Sequence, residues 1–143
     1  MIDQLSVFLE NRPGRLAEMA QVLGDAGNNM RAFVVADTAE FGVARIIVDR
    51  PQAARGALQD AGFGVTVTQV IAVEVPDRPG GLAHVLDVLG RAGVNVEYAY
   101  CFVEPDSTVA VDIFRVEDPG TAVAALEAAG IGVVPAGDIY EMD

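Results

Sequence analysis

The hydrophobic positions change period several times along the chain, and the changes mark elements. Leu5, Val7 and Leu9 recur at every second position, as do Ile71, Val73 and Val75. That is the two-residue period of a strand with one buried face. Leu16, Met19, Ala20 and Leu23 then follow at i, i+3, i+4 and i+7, and Leu82, Val85, Leu86 and Leu89 repeat that spacing. Each set predicts a helix with one buried stripe. Gly27 and Gly93 stand where a left-handed C-terminal cap would end each helix. A second strand is predicted over Met30–Ala36 and Val96–Val103, and a third over Val43–Val48 and Val109–Val116. A short Ala-rich helix follows Pro51 and Pro119, which suit a first helical turn. Gly62 and Gly130 close it, and a fourth strand begins at Val65 and Val133.

These elements describe one pattern used twice. Residues 11 to 29 read NRPGRLAEMAQVLGDAGNN, and residues 77 to 95 read DRPGGLAHVLDVLGRAGVN. At an offset of 66, Arg12, Pro13, Gly14, Leu16, Ala17, Val22, Leu23, Gly24, Ala26, Gly27 and Asn29 all recur unchanged. Farther on the offset is 68: Pro51, Leu58, Ala61, Gly62, Gly64 and Val65 recur as Pro119, Leu126, Ala129, Gly130, Gly132 and Val133. The second repeat therefore carries two extra residues between Asn95 and Pro119, and a turn at Glu104–Ser107 is the natural place for them. Each repeat is β-α-β-β-α-β, the split βαβ arrangement. The predicted fold is α+β: two ferredoxin-like βαββαβ modules, residues 1–68 and 69–143, packed side by side, with antiparallel sheets and helices on one face. From Val65 to Val75 the chain is strand-forming, without Gly, Pro or Ser. The fourth strand of the first repeat is thus expected to run almost directly into the first strand of the second.

Composition narrows the chemistry. The chain has 143 residues, 21 acidic and 9 basic, for a formal net charge of −12. Phosphate backbones are bound by neutralising them with cations, so the expectation is no nucleic-acid partner and no anionic membrane surface. No apolar run approaches the ~18 residues of a membrane span, and the N-terminus has no signal-peptide pattern. A soluble, cytoplasmic protein is expected. All nine basic residues are arginines, which removes Schiff-base chemistry, lysine general bases and the P-loop Lys. A single cysteine, Cys101, cannot close a disulfide within the chain. With His84 as the one histidine, Cys/His zinc sites and Ser-His-Asp triads have too few members. No metal, cofactor or catalytic residue is expected, and binding becomes the leading class.

The turn from first strand to first helix carries most of the remaining information. A helix N-terminus presents unpaired N–H groups and partial positive charge, which suit a carboxylate or phosphate. Gly14 and Gly80 let a ligand approach the backbone, and Asn11 and Asp77 can accept hydrogen bonds from an ammonium group. That combination fits a zwitterion. The same residues are also typical of ordinary N-caps and turns. Asn29 and Asn95 carry both a donor and an acceptor, for a ligand or for their own turn. Tyr98, Tyr100 and Phe102 fall on one face of the second strand, with Ala99, Cys101 and Val103 on the other. A strand apolar on both faces calls for a cover beyond the two helices, and a second subunit fits better than a ligand pocket. His84 is expected at the surface or a module interface, and Cys101 as a small buried hydrophobe.

The DRPGGLA turn, the helix, the AGVNV exit and the βαββαβ order together resemble the ACT domain, and the two copies cover essentially the whole chain. The resemblance implies a freestanding regulatory tandem with no catalytic domain. Its small ligand, most often an amino acid, would sit where modules pair edge to edge. The residues implied to hold it are Asn11, Arg12, Gly14 and Leu16 with Asn28, Asn29 and Met30. In the second repeat they are Asp77, Arg78, Gly80, Gly81 and Leu82 with Val94, Asn95 and Val96. The repeats differ at these positions: Asn11 stands for Asp77, Arg15 for Gly81 and Asn28 for Val94. Arg15 would either pair with a ligand carboxylate or fill the pocket. Implied partners are a second copy of the chain, as a homodimer, and a metabolic enzyme or transporter. Two alternatives remain at this level: a small hydrolase of the acylphosphatase type using Arg12 or Arg78 with Asn29 or Asn95, and a purely structural dimerisation module.

Overall fold

The computed structural model describes residues 1–36, 41–103 and 107–141. The elements in chain order are β1 (Ile2–Glu10), α1 (Arg15–Asp25), β2 (Met30–Ala36), β3 (Phe41–Val48), α2 (Pro51–Asp60), β4 (Gly64–Pro76), α3 (Gly81–Arg91), β5 (Val96–Val103), β6 (Val109–Val116), α4 (Pro119–Ala128), β7 (Val133–Val134) and α5 (Ala136–Tyr140). This is the tandem ferredoxin-like α+β arrangement. The strand that ends the first repeat and the strand that opens the second are one 13-residue strand, β4. β7 is only two residues long, and α5 had no periodic signal in the sequence.

The contacts divide the chain into two compact units. The first comprises Asp3–Thr68 and the C-terminal segment from Gly137; the second comprises Met1–Ile2 and Gln69–Ala136. In the first unit β3 lies between β2 and β1, antiparallel to both. Leu5, Val7, Leu9, Ala44, Ile46 and Val48 from these strands form a core with Met19 and Leu23 of α1 and Ala54 and Leu58 of α2. Val65 and Val67 of β4 pack against the same core. The C-terminal segment is tied to this unit by Tyr140, whose hydroxyl accepts from the Asp3 N–H at 2.7 Å and whose carbonyl accepts from Arg31 Nε at 3.2 Å.

In the second unit the strand order is β7-β4-β6-β5, antiparallel throughout. Its core joins Ile71, Val73, Val75, Phe114 and Val116 to Val85 and Leu89 of α3 and Ala122 and Leu126 of α4. The registers locate the two extra residues. Val35 pairs with Ala44, and its equivalent Cys101 pairs with Asp112. Ala36 pairs with Val43, and Phe102 with Val111. The insertion therefore lies between Phe102 and Val111. The predicted turn at Glu104–Ser107 falls outside the described residues except for Ser107, whose hydroxyl accepts from the Val109 N–H.

The helix stripes are narrower than the periodicity predicts. Met19 and Leu23 are buried in α1, and Gly81, Val85 and Leu89 in α3. Leu16, Leu82 and Leu86 are exposed, at 40%, 44% and 39%, and Ala20 is exposed as well. Each helix rests on its sheet along one row of side chains. The i and i+4 positions at its flank lie beyond the edge of that contact.

Candidate functional site

Both helices begin with the same backbone device. Gly14 precedes α1 with φ 87°, and Gly80 precedes α3 with φ 83°. A residue with a Cβ is strained in this left-handed conformation. A Cβ at either position would meet nothing within 4 Å, so the requirement is the dihedral, and the space outside the turn is open. Neither N-cap makes a side-chain hydrogen bond. In the first unit the N–H of Arg15 donates to the Arg12 carbonyl and that of Glu18 to Gly14. In the second, Gly81 donates to Arg78 and His84 to Gly80. The N–H groups of Leu16, Ala17, Leu82 and Ala83 have no backbone acceptor among the described residues. These are the groups a helix N-terminus offers to an anion. Asn11 and Asp77 are not the helix caps, since glycine holds that position in both repeats.

The charged residues of the two turns are engaged differently. Arg12 pairs with Glu10 at 3.0 Å, with both side chains about half exposed. Arg15 is drawn onto its own unit: its guanidinium reaches Glu18 at 2.7 Å, lies 3.8 Å from Glu10 and stacks 4.1 Å over the Phe63 ring. Its equivalent, Gly81, has no room for a side chain, because a Cβ there would lie 2.1 Å from the Pro76 carbonyl oxygen. Arg78 lines a cleft of about 290 Å³ with Glu74, His84, Val109 and Gly130. Asn95 does not line that cleft, so the Arg–Asn pair needed by the hydrolase alternative is not assembled there.

The exit from each first helix is a Schellman motif. Asn28 N–H donates to the Leu23 carbonyl and Gly27 to Gly24; Val94 donates to Leu89 and Gly93 to Gly90. The residue after the left-handed glycine in this motif normally makes an apolar contact with the helix. Val94 does so, buried in the core. Asn28 occupies the same position, 9% exposed, and neither its Nδ2 nor its Oδ1 has a hydrogen-bond partner. Asn29 is exposed, and its backbone is held by Asp49, which accepts from the Asn29 N–H at 2.9 Å and donates to its carbonyl at 3.2 Å. Met30, the next residue, is also exposed.

A second feature lies beside α3. A groove of about 330 Å³ is lined by Leu82 and Leu86 of the helix, Val96, Ala99, Tyr100 and Cys101 of β5, and Asp112 and Phe114 of β6. It brings together Leu82 and Val96 from the two halves of the sequence-predicted site. The sequence pattern did not single out Asp112, which sits in β6 with Arg115 among otherwise apolar residues. Asp112 is 6% exposed, and burial pushes its pKa above the ordinary carboxylate value. Cys101 is exposed rather than buried. Its thiol is raised by desolvation, then by the charges of Asp112 and Asp77. Asp77 therefore acts electrostatically on the same stretch of strand. Tyr98 and Tyr100 are half-buried and engaged within the chain.

The chain belongs to the ACT domain pair family, whose sequence pattern matches residues 1–141. It is similar to a protein of known structure from Bacteroides thetaiotaomicron, 37% identical, with a TM-score of 0.93 over 99% of this chain and 96% of that one. It shares its fold with the regulatory subunit of aspartate kinase from Thermus thermophilus, 19% identical, TM-score 0.69, over 90% of each chain. The corresponding subunit from Thermus flavus is 18% identical, with a TM-score of 0.65 over 90% of this chain and 92% of that one. No curated protein matches the chain in sequence. Among the described residues no helix is long and apolar enough to cross a membrane.

Proposed function

We propose that the protein is a non-catalytic cytoplasmic sensor of an amino acid, with residues 1–68 and 69–143 as its two modules. It acts as a homodimer, and the ligand binds where module edges pair. A metabolic enzyme or a transporter reads the resulting shift in packing. The ligand carboxylate is taken by the open N–H groups at the start of α1 or α3. Asn11, Arg12, Gly14 and Leu16 with Asn28, Asn29 and Met30 form one site, and Asp77, Arg78, Gly80, Gly81 and Leu82 with Val94, Asn95 and Val96 form the other.

The observation that carries this reading is Asn28. An amide buried with neither donor nor acceptor satisfied costs roughly 1–3 kcal/mol, and the equivalent Val94 incurs no such cost. Such a group takes its partners from outside the chain, and a bound ligand or an ordered water can supply them. Membership of the ACT domain pair family, and a fold shared with regulatory subunits of aspartate kinase, support the same conclusion. Calorimetry with each of the twenty amino acids, on protein refolded to strip retained ligand, is expected to find at least one that binds. Absence of binding by all twenty would overturn the proposal.

A further inference from the structure

The groove beside α3 holds an acid that its own unit cannot neutralise. Leu82, Leu86, Val96, Ala99 and Phe114 give it apolar walls, and Asp112, 6% exposed as a residue, lies among them. No hydrogen bond or ion pair reaches the Asp112 carboxyl among the described residues. The second unit has three arginines and the chain has no lysine. Arg91 pairs with Asp87 at 2.9 Å, Arg115 with Glu97 at 3.4 Å, and Arg78 lines the other cleft. A buried carboxylate without a counter-charge is unfavourable, and a hydrogen-bonded cation reverses that. Asp77, which also acts on Cys101, adds negative potential nearby.

We propose that this groove binds a small molecule with an aliphatic body and one protonated amine, and that Asp112 holds the ammonium group. The aliphatic part lies along Leu82, Leu86 and Ala99. Among the described residues the first unit has no counterpart to it: Ala44 stands where Asp112 does, and Phe33 and Val35 stand where Ala99 and Cys101 leave room. The amino-acid sensor reading would give this ligand its role, but the binding chemistry stands without it.

The probes are 3-methylbutylamine and its two shape analogues, 3-methylbutan-1-ol and 3-methylbutanoate, added to the full chain. Cys101 lines the groove and is the only cysteine, so its reaction rate with a thiol reagent reports occupancy. The amine is expected to slow labelling and to bind at least tenfold more tightly than the alcohol or the acid. Asp112→Asn is expected to remove that preference. Ala99→Leu, which fills the groove and leaves Asp112 in place, is expected to abolish binding, and it serves if D112N fails to fold. Equal binding of amine and alcohol would overturn the proposal, as would unchanged amine affinity in both variants. Cys101 protection that depends on protein concentration would place a second copy in the groove and overturn it too. Amine binding without binding of any amino acid would uphold the groove and sink the sensor. Amino-acid binding that D112N leaves intact, with no amine binding, would do the reverse.

Discussion

The two units share a chain path and place their bulk and polarity oppositely. In the first, the edge strand β2 carries the large exposed side chains, Phe33 and Val35, while α1 carries Leu16 and Ala20. In the second, α3 carries Leu82 and Leu86, while β5 has Ala99 and Cys101. The anomalous buried polar group also moves. It is Asn28 at the exit of α1 in one unit, with Val94 opposite it in the repeat. It is Asp112 in the middle strand of the other, with Ala44 as its counterpart. A duplicated fold keeps its strands and cores because both copies need them to bury enough apolar surface. The flanks beside the edge strands carry no such burden, and there the copies have diverged.

Substitutions that exchange the two units' residues test this contrast most directly. The largest effect is expected at the first turn. Gly81→Ala drives a Cβ into the Pro76 carbonyl and should destabilise the protein by about 2–4 kcal/mol, since backbone must move. Arg15→Ala at the equivalent position should cost about 1 kcal/mol or less through its partly exposed ion pairs and its lost stacking on Phe63. Denaturant unfolding of both variants checks the ratio, and equal losses would show that the turns are not built differently. Asn28→Val, which copies the second repeat, should stabilise the unliganded protein by about 1–2 kcal/mol and weaken amino-acid binding. A loss of stability would mean that Asn28 is satisfied in the native protein.

Asp112→Asn should raise stability at neutral pH, because burial disfavours the charged carboxylate. A carboxyl whose folded pKa is raised favours the native state below its unfolded value, near 3.8. That advantage is lost as pH rises through the folded value. The gain from D112N should therefore vanish below about pH 3.8 and be complete at neutral pH. D112N should also speed Cys101 labelling, because removing a neighbouring charge lowers the thiol pKa. The smallest effect belongs to the second helices. Asp118 caps α4 by accepting from the Thr121 N–H at 3.1 Å and from its hydroxyl at 2.6 Å, whereas Arg50 gives α2 no side-chain cap. Asp118→Ala should lower Tm by a few degrees, and Arg50→Asp should raise it slightly. The Thr121 hydrogen bonds hold the Asp118 pKa below 3.8, so its contribution is present above that pH and fades as pH falls through the lower folded value.

Much of this was legible in the residues. The offsets of 66 and 68 exposed the repeat, and the cap glycines follow from it because left-handed caps tolerate little else: Gly27 and Gly93 have φ of 76° and 75°. The site was legible in part. The paired turns and the Asn28/Val94 difference could be read by aligning one repeat on the other. Asp112 was not, although the same alignment sets it against Ala44. An acid in a strand ordinarily signals a solvent-facing position, and only the pairing with Cys101 and the neighbouring Phe114 shows that it faces the helix layer. The helical spacing of Leu82 and Leu86 predicts core positions, yet both are exposed. Periodicity reports which residues share a face of a helix, not how far the partner layer extends beneath it.

Local signals and duplication in the amino-acid sequence were enough to establish the order of elements, their caps and the tandem α+β fold. Those features depend on dihedral preference, side-chain period and burial repeated twice, all of which act between near neighbours. Two things were decided only in the folded chain: the docking of Tyr140 onto Asp3 and Arg31, and the groove that closes around Asp112. Each joins residues distant along the chain, and whether such groups meet depends on strand register and packing, which no local pattern encodes.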